Sequence, residues 1–345
     1  MKLAVVGANG QVGTELCFLL RDNTDLIPIV RNKLGKIFLE HNGFKCRIAD
    51  ISREKDAEEN LHDIDVVVIT AYALDPLSGS QSQISKAINE KIIKNSIRFS
   101  NENSTIIYMS TIRAFAHKVD PTTSRFWPPR YDAEKQYLER VMLSECRKRR
   151  KRGFPLRIGH VYGENQGSVK NIKKILSNKK IIVEVFPESK SNVVHTVTLK
   201  DAILKCIQPE VKPRVYSVVN NPQWTWKEVF EYYNKKTQIE FKPPTPMSKN
   251  SNDFLWKMIK SNRKYIIPIL EHLPRRFDKD ILRKRSMKKM LLEISMLKNE
   301  EIISSGDFGY NPIPGPFLPG LTETRELLKN SSLEVFKIPS EDSIT

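Results

Sequence analysis

Short, almost unbroken apolar runs recur through the first third of the chain. Each is followed by a stretch whose apolar positions return every three or four residues. Residues 2–6, 26–30, 45–49, 65–70 and 105–109 form the runs, and they are rich in Val and Ile. A strand covered on both faces reads this way because neither face tolerates polar side chains, and such strands belong to parallel sheets. Residues 11–21 and 81–95 carry helical spacing between the runs. The alternation predicts an α/β protein built on a doubly wound parallel sheet with right-handed crossovers.

Beyond residue 156 the pattern loosens. Strand-like runs at 156–160, 181–185 and 214–219 mix with helical spacing at 168–176, 199–206 and 226–235, which predicts a smaller mixed α/β domain. Residues 242–246 are a Pro-rich break. After it comes a basic stretch with helical spacing, 253–298, holding 13 Lys/Arg against 5 Asp/Glu. The whole chain has 345 residues and a net charge of +17, a balance that favours anionic partners. Cys17, Cys46, Cys146 and Cys206 form no CxxC pair, and no His/Cys/Asp cluster has metal-ligand spacing, so neither a zinc site nor a disulfide framework is expected. The N-terminus lacks a signal-peptide layout, and no apolar run approaches the ~20 residues needed to span a bilayer. The expectation is a cytoplasmic protein, with peripheral membrane contact as a variant of it.

The first run ends in Gly7-Ala8-Asn9-Gly10-Gln11-Val12-Gly13, which opens a helix. Strand, glycine turn and helix in this order make a dinucleotide-binding, Rossmann-type start. Gly7 allows the tight turn, Gly10 lets backbone N–H groups approach a pyrophosphate, and Gly13 lets helix and sheet pack closely. Asn9, Gln11 and Val12 belong to the same turn. The second run ends in Arg31, where an NAD site would place an acid for the ribose 2′-hydroxyl. A guanidinium there suits a 2′-phosphate, so NADP(H) is favoured over NAD(H). Asp50 and Ile51, after the third run, are placed to flank the adenine.

Tyr131 and Lys135 stand four residues apart, on one face of a helix. A free phenol has a pKa of about 10 and is a poor base at neutral pH. An ammonium beside it favours the phenolate, and the pair can then exchange a proton with a substrate hydroxyl or carbonyl while hydride moves to or from a nicotinamide. Lys135 also has the reach to hold the nicotinamide ribose. Ser110 and Thr111 end the fifth run, at the ligand-binding edge of an open α/β sheet, where either hydroxyl can bind the substrate oxygen.

With these residues in view, the chain resembles the extended short-chain dehydrogenase/reductase family, of the NAD-dependent epimerase/dehydratase type. The resemblance rests on Gly7/Gly10/Gly13, Ser110-Thr111, Tyr131/Lys135 and the segment from Leu156-Arg157 to Val161-Tyr162-Gly163. Val194-His195-Thr196 with Asp201, Val215-Tyr216-Ser217-Val218, and Phe308-Gly309-Tyr310 extend it over most of residues 1–325. It implies that Thr111 is the catalytic hydroxyl and that the substrate is a sugar or sugar nucleotide, oxidised or epimerised at a hydroxyl or keto carbon. It also implies a homodimer through helices flanking the sheet. His160 stands where sugar-nucleotide epimerases of the family often carry Asn, and the stretch between 246 and 305 is longer than compact members need.

His160 and His195 fall in the substrate half, either touching substrate or serving as satisfied structural histidines. The run Arg147–Arg152 ends the Tyr131 helix and complements its dipole. The 253–298 segment, with Trp256, Tyr265 and Ile266 among its cations, is a helical insertion packed on the second domain or a membrane-surface contact. The expected layout is a dinucleotide-binding domain over 1–155, a substrate-binding region over 156–330 with an insertion at about 247–305, and a frayed tail over 331–345. The expected partner is a small molecule, with no nucleic acid. A reductase of a lipid-linked or secondary-metabolite keto group and a non-catalytic NADP-sensing scaffold are the alternative functions.

Overall fold

The computed structural model describes residues 1–74, 82–116, 131–177, 180–234, 237–243, 302–303, 313 and 315–331. The predicted helical insertion and the C-terminal tail lie almost wholly outside these residues. The chain divides into two compact units. The first draws on 1–172, 190–225 and 310–345, and the second on 173–189 and 226–309.

The first unit begins β1 (Lys2–Val6), α1 (Gln11–Leu20), β2 (Asp25–Val30), α2 (Lys33–His41), β3 (Arg47–Ile48), α3 (Glu54–Leu61) and β4 (Val66–Ile69). It continues with α4 (Gln83–Phe99), β5 (Thr105–Thr111), a 3-10 turn (Ile112–Ala116), α5 (Tyr131–Lys148), β6 (Arg152–Ile158) and β7 (His160–Tyr162). Helix α6 (Gly167–Ile175) leads towards β8 (Lys180–Glu184) of the second unit. The chain then returns through β9 (Val193–His195), α7 (Thr196–Ile207) and β10 (Tyr216–Val218). The second unit also holds α8 (Trp226–Tyr233), β11 (Gln238–Lys242) and β12 (Ile302–Ile303), and α9 (Thr324–Asn330) closes the described chain.

Seven parallel strands form the main sheet in the order β10-β6-β5-β4-β1-β2-β3. The direction of winding reverses between β1 and β4, which opens a crevice at the carboxyl ends of the strands. The apolar runs divide by parity, as a pleated strand requires. Leu3, Val5, Val68, Ile107 and Met109 face a layer with Leu16 and Leu20 of α1 and Leu199 and Ile203 of α7. Ala4, Val6, Val67, Ile106 and Tyr108 face the opposite layer, with Leu61 of α3, Ile93 and Ile97 of α4, and Leu138 and Met142 of α5. The second unit contains a parallel three-stranded sheet, β11-β8-β12.

Strand β6 starts at Arg152, four residues earlier than the apolar pattern predicts, because the basic run does structural work there. Lys151 Nζ donates to the carbonyls of Ile97 and Ser100 at the end of α4, at 2.6 and 2.7 Å. The Arg152 guanidinium donates to the Ile207 and Gln208 carbonyls at the end of α7 and to the Val211 carbonyl in the loop beyond it, at 2.6–2.9 Å. Both side chains satisfy helix-terminal carbonyls that have no intrahelical donor. Lys148 and Arg149 instead lie against Glu145 on α5 itself.

Candidate active site

The glycine turn is forced by close approach. Gly7 has φ of +88°, and a Cβ there would fall 2.7 Å from the Ala71 nitrogen. A Cβ on Gly13 would fall 2.3 Å from the Gly7 carbonyl oxygen. Gly10 caps α1 without a side-chain hydrogen bond. The first-turn N–H groups of α1 therefore depend on something other than a capping side chain, and an anion is the natural occupant.

Above this turn lies a groove of about 400 Å³, built from the ends of the first four strands. Of the cofactor residues read from the sequence, Gly7, Asn9, Gly10, Arg31, Asp50 and Ile51 line it. Gln11, Val12 and Gly13 lie just behind, on α1. The Asp50 carboxylate accepts from the Ser52 N–H and hydroxyl at 3.0 and 2.6 Å, so it closes its own turn while bordering the groove. Thr70, Ala71, Tyr72 and Ala73, at the end of β4, form the inner wall. A glycine-floored groove at the carboxyl ends of parallel strands fits a dinucleotide.

Tyr72 joins this groove to the Tyr131–Lys135 pair. Its ring meets the Tyr131 ring edge-on, with centroids 5.3 Å apart and planes at 84°. The Lys135 ammonium sits 4.5 Å above the Tyr72 ring, 4.6 Å from the Tyr108 ring and 5.7 Å from the Tyr131 ring. Its Nζ donates to the Met109 carbonyl at 2.8 Å. Met109 lies two residues before Thr111, so Lys135 is anchored to the strand end that carries the predicted catalytic hydroxyl. Thr111 is buried, and its Oγ accepts from the Arg113 N–H at 3.3 Å. Burial pushes Lys135 down to about 7, and the carboxylates of Glu134 and Glu139 oppose that shift. Three aromatic faces and one carbonyl thus replace water around the cation.

Two buried carboxylates brace the pair. Glu134 accepts from Asn89 Nδ2 at 2.8 Å, and the same side chain bonds both the N–H and the carbonyl of Ala73. Asn89 thereby ties the loop after β4 to α5. Burial pushes the Glu134 carboxyl up from its ordinary value. One turn beyond Lys135, Glu139 receives the Arg157 guanidinium in a fork, with Nε and Nη2 at 2.9 and 2.7 Å. It also receives the Ser110 hydroxyl. Ser110 is thus directed into the α5 layer, while Thr111 alternates to the other side of the strand.

The two histidines differ in burial. His195 is 2% exposed, its ring 4.9 Å from that of Trp224, and its Nδ1 is met by the Asn220 side-chain amide at 2.9 Å. Burial holds it down to about 4, so it is neutral at pH 7. His160 is half-buried and also held down to about 4, by burial and then by Arg113.

Sequence reading missed Tyr72, Asn89, Glu134 and Glu139. The signal for Tyr72 was available. Thr70-Ala71-Tyr72 follows the fourth apolar run, at the same sheet edge as Ser110-Thr111.

The profile of the NAD dependent epimerase/dehydratase family matches residues 3–218. Among solved structures, UDP-N-acetylglucosamine 4-epimerase from Bacillus cereus is similar at 20% identity, with a TM-score of 0.53 over 72% of this chain and 91% of that one. UDP-glucuronic acid 4-epimerase from the same organism, in complex with UDP-glucuronic acid and NAD, is similar at 17% identity and a TM-score of 0.52, over 71% and 87%. UDP-N-acetylglucosamine 4-epimerase from Methanobrevibacter ruminantium M1, in complex with UDP-N-acetylmuramic acid, matches at 18% and 0.53, over 71% and 86%. At such identities the likeness is one of fold. No curated protein matches the sequence.

Proposed function

Because this chain belongs to the NAD-dependent epimerase/dehydratase family and is an enzyme of the extended short-chain dehydrogenase/reductase type, we propose that it oxidises or epimerises a carbinol carbon of a sugar or sugar nucleotide, with Tyr131 as the acid/base. The observation that carries this reading is the continuous path from the glycine-floored groove through Tyr72 to the Tyr131–Lys135 pair. A dinucleotide bound in the groove supplies the hydride acceptor or donor. Tyr131 removes the proton from the substrate hydroxyl as the carbonyl forms, and returns it when the carbonyl is reduced. Lys135 holds the positive charge that makes the phenolate accessible. Thr111 offers its hydroxyl to the substrate oxygen. Sugar nucleotides are the ligands named for the fold relatives, which favours that substrate class. A non-catalytic sensor has no need of a buried ammonium among three phenols, which disfavours the scaffold reading.

The test is incubation with a panel of UDP-hexoses, uronic acids and acetamido sugars under both cofactors, read by nuclear magnetic resonance for inversion or oxidation. Absence of any sugar-nucleotide turnover with a dinucleotide bound would reject the substrate class.

Arg31 at the groove rim supports NADP(H) over NAD(H). Arg31→Ser is expected to weaken NADP(H) binding by about 10- to 100-fold, the loss of one charge-assisted pair, and to leave NAD(H) nearly unchanged. Calorimetric titration with both cofactors measures it, and equal losses for the two would remove the preference.

The pH dependence follows from Lys135. Tyr131 needs the Lys135 ammonium to reach its phenolate, and burial pushes Lys135 down to about 7. Oxidation is therefore expected to weaken as pH rises through about 7 and the ammonium is lost. In Lys135→Met no ammonium is lost at that pH, so this fall disappears and activity rises only towards the ordinary phenol value of about 10. A pH–rate profile unchanged by this substitution would contradict the assignment.

A further inference from the structure

Helix α2 turns its apolar stripe outward. Leu34, Ile37 and Phe38 occupy positions i, i+3 and i+4 and are 80%, 60% and 44% exposed. The helix anchors inward through Leu39, which is fully buried, while Gly35 approaches Asn9 closely. On an ordinary helix of a globular protein, a stripe at this spacing packs on the core. Three large apolar side chains adjoining one another in water mark an interaction surface.

The patch has a firm backing. The Phe38 ring lies 6.1 Å from Phe18, which meets Phe44 edge-on at 5.0 Å. The Arg21 guanidinium covers Phe18 and Phe44 at 4.6 and 4.7 Å. The segment that carries the stripe is cationic. Over residues 31–45, Arg31, Lys33, Lys36 and Lys45 face a single acid, Glu40, and Lys36 pairs with it at 2.8 Å. An apolar stripe flanked by cations on aliphatic stems matches the boundary between acyl chains and anionic headgroups.

We propose that α2 docks this protein on an anionic phospholipid surface, with Leu34, Ile37 and Phe38 entering the acyl boundary and Lys33, Lys36 and Lys45 meeting the headgroups. The contact is peripheral: among the described residues no helix is long and apolar enough to cross a membrane. A second copy on this face would set two cationic segments against each other, which charge complementarity disfavours. The Asn32 side chain caps α2 by accepting from the Gly35 N–H at 2.9 Å, and Asn32 also lines the dinucleotide groove. The docking face therefore adjoins the groove without sharing its apolar residues.

Co-sedimentation of the full chain with vesicles tests this, using phosphatidylcholine alone and phosphatidylcholine mixed with phosphatidylglycerol. The parent is expected to bind the mixed vesicles, to bind the neutral ones weakly, and to be released by salt. Leu34→Glu with Ile37→Glu is expected to lower binding at least about tenfold, with thermal melting and dinucleotide affinity unchanged. Lys33→Glu with Lys45→Glu should weaken binding to the mixed vesicles alone. Three results overturn the proposal. They are no binding of the parent to mixed vesicles at low salt, equal binding by the apolar double variant, and loss of self-association in that variant with no effect on lipid binding.

Discussion

Tyr131→Phe is expected to lower turnover by about 10²- to 10⁴-fold, the contribution of one positioned acid/base. The argument rests on what the substitution keeps. A Phe ring preserves the edge-on contact with Tyr72 and the apolar surroundings of Lys135, and removes the phenolic oxygen alone. The melting temperature and dinucleotide affinity are therefore expected to stay close to those of the parent, so that the loss falls on the chemical step. Steady-state kinetics with fluorescence titration of the dinucleotide separates the two. Turnover within a few fold of the parent would remove Tyr131 from the reaction and leave the groove as a binding site.

The largest effect on stability is expected at Glu139. Its carboxylate is buried and holds the Arg157 guanidinium in a fork, and the Ser110 hydroxyl turns to the same group. Glu139→Ala would strand a guanidinium that is only 13% exposed. Breaking one side of such a pair costs about 3–5 kcal/mol, because the remaining charge loses its partner without regaining water. In a chain of this size the melting temperature should fall by roughly 10 °C. Glu139→Leu combined with Arg157→Met should recover most of the loss, since the pair as a whole is worth much less than either half alone. Calorimetry of the single and double variants checks both statements. A single variant melting with the parent would show that the pair is dispensable. Activity should fall in the single variant as well, because Ser110 and Arg157 are register neighbours and Thr111 follows Ser110 directly.

The inner strands of the central sheet were legible because they are covered on both faces, which leaves an apolar run that no surface strand carries; at the edge, β3 shrinks to Arg47–Ile48, with Ile48 40% exposed. Gly7 and Gly13 were legible for a similar reason: their surroundings admit no other residue, so chemistry and spacing coincide. Tyr131 and Lys135 could be read from a local repeat of four. Asn89 and Glu134 could not. Their bond joins two helices 45 positions apart, and a buried polar side chain on a helix looks the same in sequence as a solvated one. Tyr72 escaped for another reason, because an aromatic residue after a strand reads as core until its neighbours are known. The stripe on α2 shows a further limit. Spacing tells which positions share a face, but the direction of that face is decided by what packs behind it.

Lys151 and Arg152 are consecutive, yet their side chains leave the chain on opposite sides, one ending α4 and the other ending α7. The two helical layers are therefore pinned to the sheet at a single peptide step, like leaves on one rivet. Side-chain direction alternates residue by residue, so inserting or deleting one residue at this step would exchange the two anchors. A lesion that small, distant from the groove, would free both layers to slide.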